Sequence, residues 1–295
     1  MSELNRGRLL IALAGILWSL GGVFAKEVSI PGSSQAFYRS LIAGLFLIPF
    51  APRGSRVVRP AMVPFALVFG AMTGLYLASA TTTTAANAIF LQCSAVFWTI
   101  PIAAAWLREP VDRRSVAGVA VALVGVVLIV ARGRDGRPGE ATGILLGLAS
   151  GVAYAAVVVG LRRFRDVDAT WLTSFVNLGG SLALGLYLAA TGAGPVVPEP
   201  GQWPVLVAFG VVQMAIPYVL FARGLRVVRA PAAALLSLLE PAFNPLWVWL
   251  RHGESPAGPT VVGGLILLLG VAVRYVPWHA PGDRPADVLK SREDS

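Results

Sequence analysis

The sequence predicts an all-α polytopic membrane protein, with ten transmembrane helices arranged as two inverted five-helix repeats. Three observations carry that expectation. Of the 295 residues, 56% are hydrophobic and only 13% charged, about half the roughly 25% charged fraction of a soluble globular domain. The charges bunch between long apolar runs and leave the runs almost bare, and the two halves of the chain match each other in register. A helix needs about 20 residues to cross the hydrocarbon core, so ten crossings consume roughly 200 residues and leave only short connections. That excludes a sizeable soluble domain.

Punctuation by charge clusters, Pro and Gly gives ten apolar segments. They cover residues 8–26, 35–51, 61–79, 85–107, 115–131, 141–161, 170–190, 203–222, 231–250 and 260–277. Each is read as a helix, because a backbone in lipid must satisfy its own hydrogen bonds and the runs are too continuously apolar for barrel strands. The first run, Leu9 to Ala25, follows Arg6 and Arg8 and imitates a signal peptide. No soluble mature domain comes after it, so it is read as a retained first helix. The domain plan is an amino terminus at 1–7, a first repeat at 8–131, a connection at 132–140, a second repeat at 141–277 and a tail at 278–295. The tail is polar and mixed in charge, and is expected to be disordered.

Orientation follows from the positive-inside rule. A cytoplasmic amino terminus places Arg6, Arg8, Arg53, Arg56, Arg59, Arg108, Arg113, Arg114, Arg162, Arg163, Arg165, Arg223, Arg226, Arg229, Arg274, Arg284, Lys290 and Arg292 inside. It leaves Lys26, Arg132, Arg134, Arg137 and Arg251 outside and Arg39 within a helix, so both termini are expected in the cytoplasm, at the inner (plasma) membrane. The net charge of +9 thus has a topological cause and needs no nucleic acid. Contact with anionic headgroups is a by-product.

The halves repeat. A shift of 136 places Gly15 over Gly151, Trp18 over Tyr154, Lys26 over Arg162 and Gly44 over Gly180. At 144, Ala86 meets Ala230, Leu91 meets Leu235 and Pro101 meets Pro245. At 145, Glu109 meets Glu254, Gly118 meets Gly263 and Gly125 meets Gly270. Five crossings per copy is odd, so the second copy enters the membrane from the opposite side, which makes an inverted repeat about an axis in the membrane plane. Two near-equivalent packings of one scaffold are what alternating access requires, and the architecture points to transport.

Two stretches then carry a resemblance: AANAIFLQCSAVFWTIPIAAAWLREP from Ala85 to Pro110 and LLEPAFNPLWVWLRHGE from Leu238 to Glu254. They resemble the fourth- and ninth-helix patterns of EamA-type transporters of the drug/metabolite transporter superfamily. The opening GILWSLGGVFAK, Gly15 to Lys26, is similar to the family's first-helix pattern. The resemblance covers residues 8–277. It implies ten helices with the first four of each half around a central cavity and the fifth and tenth at the periphery, and export of amino acids, other metabolites or toxic small molecules. One departure is that Phe175 stands where the repeat would place a second Arg39.

Several residues are candidates for the work. Glu240 lies nine residues after Pro231 and eleven before Arg251, on the order of 14 to 16 Å from either end of a continuous helix. A carboxylate there costs at least about 2.5 kcal/mol, so it is read as a proton-coupling or amine-binding group, or as an inter-helix hydrogen bond. Pro101 and Pro245 each free a carbonyl deep in a crossing and are read as hinges or as static kinks, with Pro241 as a further interruption. Asn87, Gln92, Asn177, Gln213 and Asn244 are expensive in hydrocarbon and should face protein or water. Gln92 and Trp98 can share a face of one helix. With Trp18, Tyr38, Tyr76, Tyr154 and Tyr218 they outline a substrate-binding pocket, each aromatic having interfacial or packing duty as its alternative. Arg39 is read as snorkelling to the headgroups, pairing with Glu27, or attracting a carboxylate-bearing substrate. Gly70–Gly74 and Gly147–Gly151 match the GxxxG spacing of close helix approach.

No phosphate loop, HExxH motif or intramembrane Asp pair occurs, and His252 and His279 fall at segment ends. Cys93 is the only cysteine, which forbids an internal disulfide. The expectation is therefore no cofactor, no metal and no enzyme. The partners expected are a small-molecule substrate and the lipid bilayer, with possible proton coupling and the oligomeric state left open. The competing readings are a multidrug efflux carrier, a membrane enzyme acting on a lipid-linked substrate, and a scaffold.

Overall fold

The computed structural model describes residues 2–107, 113–132, 139–192, 194–224, 226–228 and 236–275. The expected loop with Arg134 and Arg137, the residues Arg108, Arg229 and Pro231, and the tail from 278 with His279 lie outside them. The first half comprises α1 (Glu3–Ser19), α2 (Gly21–Glu27), α3 (Gly32–Leu47), α4 (Met62–Thr82), α5 (Ala85–Gln92), α6 (Ala95–Leu107) and α7 (Arg113–Arg132). The second comprises α8 (Glu140–Arg163), α9 (Ala169–Ala190), α10 (Trp203–Gly210), a π turn (Val211–Ala215), α11 (Ile216–Gly224), α12 (Leu239–His252) and α13 (Gly258–Tyr275). Among the described residues, six helical stretches qualify by length and composition to cross a membrane: 3–27, 62–82, 85–102, 140–161, 169–190 and 200–224.

Local chemistry sets the helix boundaries. Thr84 and Asp168 cap α5 and α9 by accepting backbone N–H groups of the first turn. Gly253, at φ 69°, ends α12 in the left-handed region that a side chain would disfavour. Four expected rods are interrupted among the described residues. The first breaks at Leu20, between α1 and α2; the fourth breaks at Cys93 and Ser94, between α5 and α6; the eighth carries the π turn; and the ninth breaks at Leu238, just before α12. Carbonyls stranded after α2 are collected by one side chain, since the buried Gln35 amide donates to Ala25, Val28 and Ile30.

Packing is indifferent to exchange of the two halves. Helix α1 packs on α11 and α12, as α8 packs on α4 and on α5 and α6, while α3 packs on α9 and α7 on α13. The agreement reaches single atoms. A Cβ on Gly15 would meet the Leu236 carbonyl at 3.3 Å, and one on Gly151 would meet the Gln92 carbonyl at 3.2 Å, positions related by the 136 and 144 shifts. At the rim, Gly125 abuts the Gly263 carbonyl and Gly270 abuts that of Gly118. Glycine is needed there because α7 and α13 touch backbone to backbone. The GxxxG glycine Gly70 similarly lies against Gly180, and Gly147 and Gly151 lie against α5.

Each end of the bundle is tied across the halves by charge. At one end Lys26 and Glu254 form an ion pair at 2.9 Å, Lys26 also donates to the Thr83 carbonyl, and Glu254 accepts from the Ala85 N–H. Beside them Arg251 holds Glu27 at 2.8 Å. At the other end, a full length of α4 away, Arg59 bonds Asp166. That contact holds the Asp166 carboxyl below its ordinary range and raises Arg59.

Candidate functional site

Between the halves lies a small chamber with a cavity volume of about 40 Å³. Its wall is aromatic and thioether: Trp18, Tyr76, Tyr154, Tyr218, Met72 and Met214. Four polar groups complete it, Arg39, Gln92, Gln213 and Glu240.

Arg39 is 3% exposed. Its Nη1 donates to Gln213 Oε1 at 2.9 Å, its Nη2 bonds Thr73 Oγ1, and its guanidinium carbon stands 4.9 Å over the Phe209 ring. Among the described residues Nε has no partner. The expected snorkelling and the pairing with Glu27 are therefore both corrected. Glu27 belongs to Arg251, and the rotation of α3 turns Arg39 inward, fixed by the Ser174 hydroxyl donating to the Gly44 carbonyl of the same helix. A buried guanidinium with neutral partners and a spare N–H is an anion-receptive group.

Glu240 also faces the chamber, as the second residue of α12. The sequence placed it mid-helix. Instead it stands at a helix start inside the bundle, where the positive end of the dipole favours a carboxylate. Among the described residues it makes no ion pair, Arg39 being engaged elsewhere. Pro241 goes with the interruption expected of it: the ninth rod breaks at Leu238, and Pro241, the third residue of α12, has no N–H to offer the Ser237 carbonyl before the break. Pro101 and Pro245 do lie inside helices, each the seventh residue after a break, of α6 and of α12.

The other expected residues divide. Trp18, Tyr154, Gln92 and Gln213 reach the chamber, with Gln92 Nε2 3.6 Å from Met72 Sδ. Trp98 does not. It is 44% exposed on the outside, because the break at Cys93 and Ser94 ends the helical phase it was expected to share with Gln92. Tyr38 packs edge-on against Trp203 and Phe37, away from the chamber. Asn87 donates to Thr83 and accepts from Thr260, pinning α5 to α13. Asn177 donates to the Thr173 carbonyl in its own helix, and Asn244 is buried against Gly22, whose Cβ would come within 2.7 Å of Oδ1.

Met72, Met214 and Thr73 were missed by sequence reasoning, although a signal for the methionines was present. A shift of 142 sets Met72 over Met214 and Tyr76 over Tyr218. Together with Trp18 over Tyr154, the whole aromatic and thioether wall is thus paired by the repeat. The polar four are not: Arg39, Gln92, Gln213 and Glu240 have Phe175, Leu236, Ala71 and Val96 as their mates. Among the described residues no three His, Cys, Asp or Glu side chains gather to hold a metal.

Known proteins share this architecture. The EamA-like transporter family model matches residues 5–131 and again 141–276. An uncharacterized transporter of Archaeoglobus fulgidus is 30% identical over 91% of this chain and 96% of its own. The pseudopaline exporter CntI of Pseudomonas aeruginosa is 27% identical over 90% and 94%, and the uncharacterized inner membrane transporter YicL of Salmonella typhimurium is 27% identical over 92% and 95%. A solved crystal structure superposes with a TM-score of 0.67 over 91% of this chain and 96% of its own at 18% identity, a likeness of fold. With two matched halves, an all-helical membrane fold and relatives that are transporters rather than enzymes, the chain belongs to the EamA-like transporter family.

Proposed function

We propose that the protein is a secondary exporter of amino acids or similar small organic metabolites, working by alternating access between two inverted five-helix modules, residues 8–131 and 141–277. The observation that carries this reading is the chamber, an aromatic frame with Arg39 and Glu240 facing it and not joined to each other. A solute bearing both a carboxylate and an amine satisfies both groups. Arg39 disfavours purely cationic drugs, so the multidrug reading ranks second. Export and an inner-membrane location are supported by the names of CntI and YicL. Cytoplasmic termini follow from the clustering of Arg at one set of loops.

Glu240 is assigned as the coupling group, because a carboxyl at a helix start facing the chamber can exchange a proton with the passage of solute. Proteoliposomes containing only this protein, loaded with radiolabelled amino acids one at a time, test both assignments. Counterflow is expected for at least one amino acid, and its pH dependence is expected to vanish in Glu240→Gln. Flux that keeps its pH dependence in that variant removes Glu240 from the coupling role. Absence of flux for every amino acid, with flux of a cationic dye, selects the drug reading.

A further inference from the structure

Gln213 is a polar group of the chamber that joins α3 to α1. Its Oε1 accepts from Arg39 of α3 at 2.9 Å, and its Nε2 donates to the Trp18 carbonyl at 3.2 Å. Both bonds depend on local irregularities. The π turn Val211–Ala215 carries Gln213 inward. Trp18 is the second-last residue of α1, next to the break at Leu20. Gly21 is what lets the amide approach, since a Cβ there would stand 2.8 Å from Nε2. Beyond the break, α2 bears Lys26 and Glu27, which form the two ion pairs to Glu254 and Arg251 that close one end of the bundle.

We infer that Gln213 is a positioning residue that conveys occupancy of Arg39 to this clasp: a carboxylate bound at Arg39 replaces the Gln213 oxygen, the amide swings away from the Trp18 carbonyl, and α2 is released at its root. No covalent step is involved. The inference rests on the chamber being the solute site, and the experiment separates the two ideas.

The test uses the full chain in lipid with Cys93→Ala and spin labels at Ser29→Cys and Ser255→Cys, exposed positions just beyond α2 and α12. Three variants are compared without added solute. Gln213→Ala removes both bonds. Gln213→Glu keeps a partner for Arg39 but cannot donate to Trp18. Thr73→Ala removes the other Arg39 contact and leaves the break untouched. The first two are expected to add a longer-distance population, while Thr73→Ala keeps the parent distribution. In counterflow, Gln213→Glu is expected to raise KM about tenfold or more, because its carboxylate competes with the solute's for Arg39, whereas Gln213→Ala loses kcat with KM unchanged or lowered, a split that general destabilisation does not produce. Should Gln213→Ala fail to insert, Gln213→Glu decides alone. Parent-like distances in the Gln213 variants, or equal opening in Thr73→Ala, overturn the relay.

A mixture of the proteinogenic amino acids is then the probe. It is expected to open the parent but to leave the Gln213→Ala distances unchanged while still raising that variant's melting temperature. If the mixture moves neither distance nor melting in the parent, the proposed substrate class fails, and the solute-free variants still decide the role of Gln213.

Discussion

The wall of the chamber and its polar groups follow different rules. Trp18, Met72 and Tyr76 in one half are answered by Tyr154, Met214 and Tyr218 in the other, whereas Arg39, Gln92, Gln213 and Glu240 are answered by Phe175, Leu236, Ala71 and Val96. A matched frame gives both halves the same packing choices, so that two arrangements of the bundle lie close in energy. In the proposed function, the unmatched charges would orient a bound solute, with one end toward α3 and the other toward the start of α12. Frame and charge are therefore expected to respond differently to substitution.

The largest effect belongs to the frame. Gly70→Val would set a Cβ 2.7 Å from the Gly180 Cα and 2.8 Å from its carbonyl oxygen, and backbone there cannot give way. The cost is expected to reach or exceed the roughly 1–3 kcal/mol of ordinary overpacking, read as loss of a monodisperse peak in detergent. Gly74→Ala, one turn on, meets only the movable Leu184 side chain and should be far milder. Equal damage from both would mean that the α4–α9 contact is not the rigid seam described.

Arg39→Met is expected to divide function from stability. Counterflow of carboxylate-bearing solutes should fall at least about tenfold, equivalent to about 1.4 kcal/mol of transition-state stabilisation. The melting temperature should hold or rise, because a buried charge without an acidic partner gives way to a side chain of similar length. A collapse in melting temperature with residual transport normal per folded molecule would make Arg39 part of the frame instead.

The smallest effect lies at the ends. Arg59 holds the exposed Asp166 carboxyl below its ordinary range, so this tie contributes above the unfolded carboxyl pKa near 4 and is lost as pH falls through the lowered native value. Asp166→Asn should lower stability slightly at neutral pH, and parent and variant should converge in acid. A solvent-exposed pair of this kind is screened by salt, so the difference should also shrink at high ionic strength.

Much of the fold was legible along the chain because crossing a membrane is a local property: each apolar segment carries its own reason to be helical. Repeat shifts of 136, 144 and 145 were legible too, and they reappear as the Gly15–Leu236 and Gly151–Gln92 contacts. The site was only half legible. Gln92, Gln213, Trp18, Tyr154, Arg39 and Glu240 reach the chamber, yet Trp98 points outward and Asn87 is spent on Thr83 and Thr260. Polarity says that a side chain avoids lipid. It does not say whether protein or cavity receives it.

By itself the sequence determined the helices, their approximate number and the pairing of the halves, since these depend on hydrophobic length and on residue identity at fixed offsets. The tertiary structure alone decided where rods break, at Leu20, at Cys93 and Ser94 and at Leu238, and where the π turn falls, at Val211–Ala215. It also decided that Arg39 turns inward to Gln213 rather than outward to headgroups. The reason is rotational. A break or a bulge changes the phase of every later side chain, and that phase is set by contacts such as Ser174 with Gly44 and Gly15 with Leu236, between residues far apart in the chain.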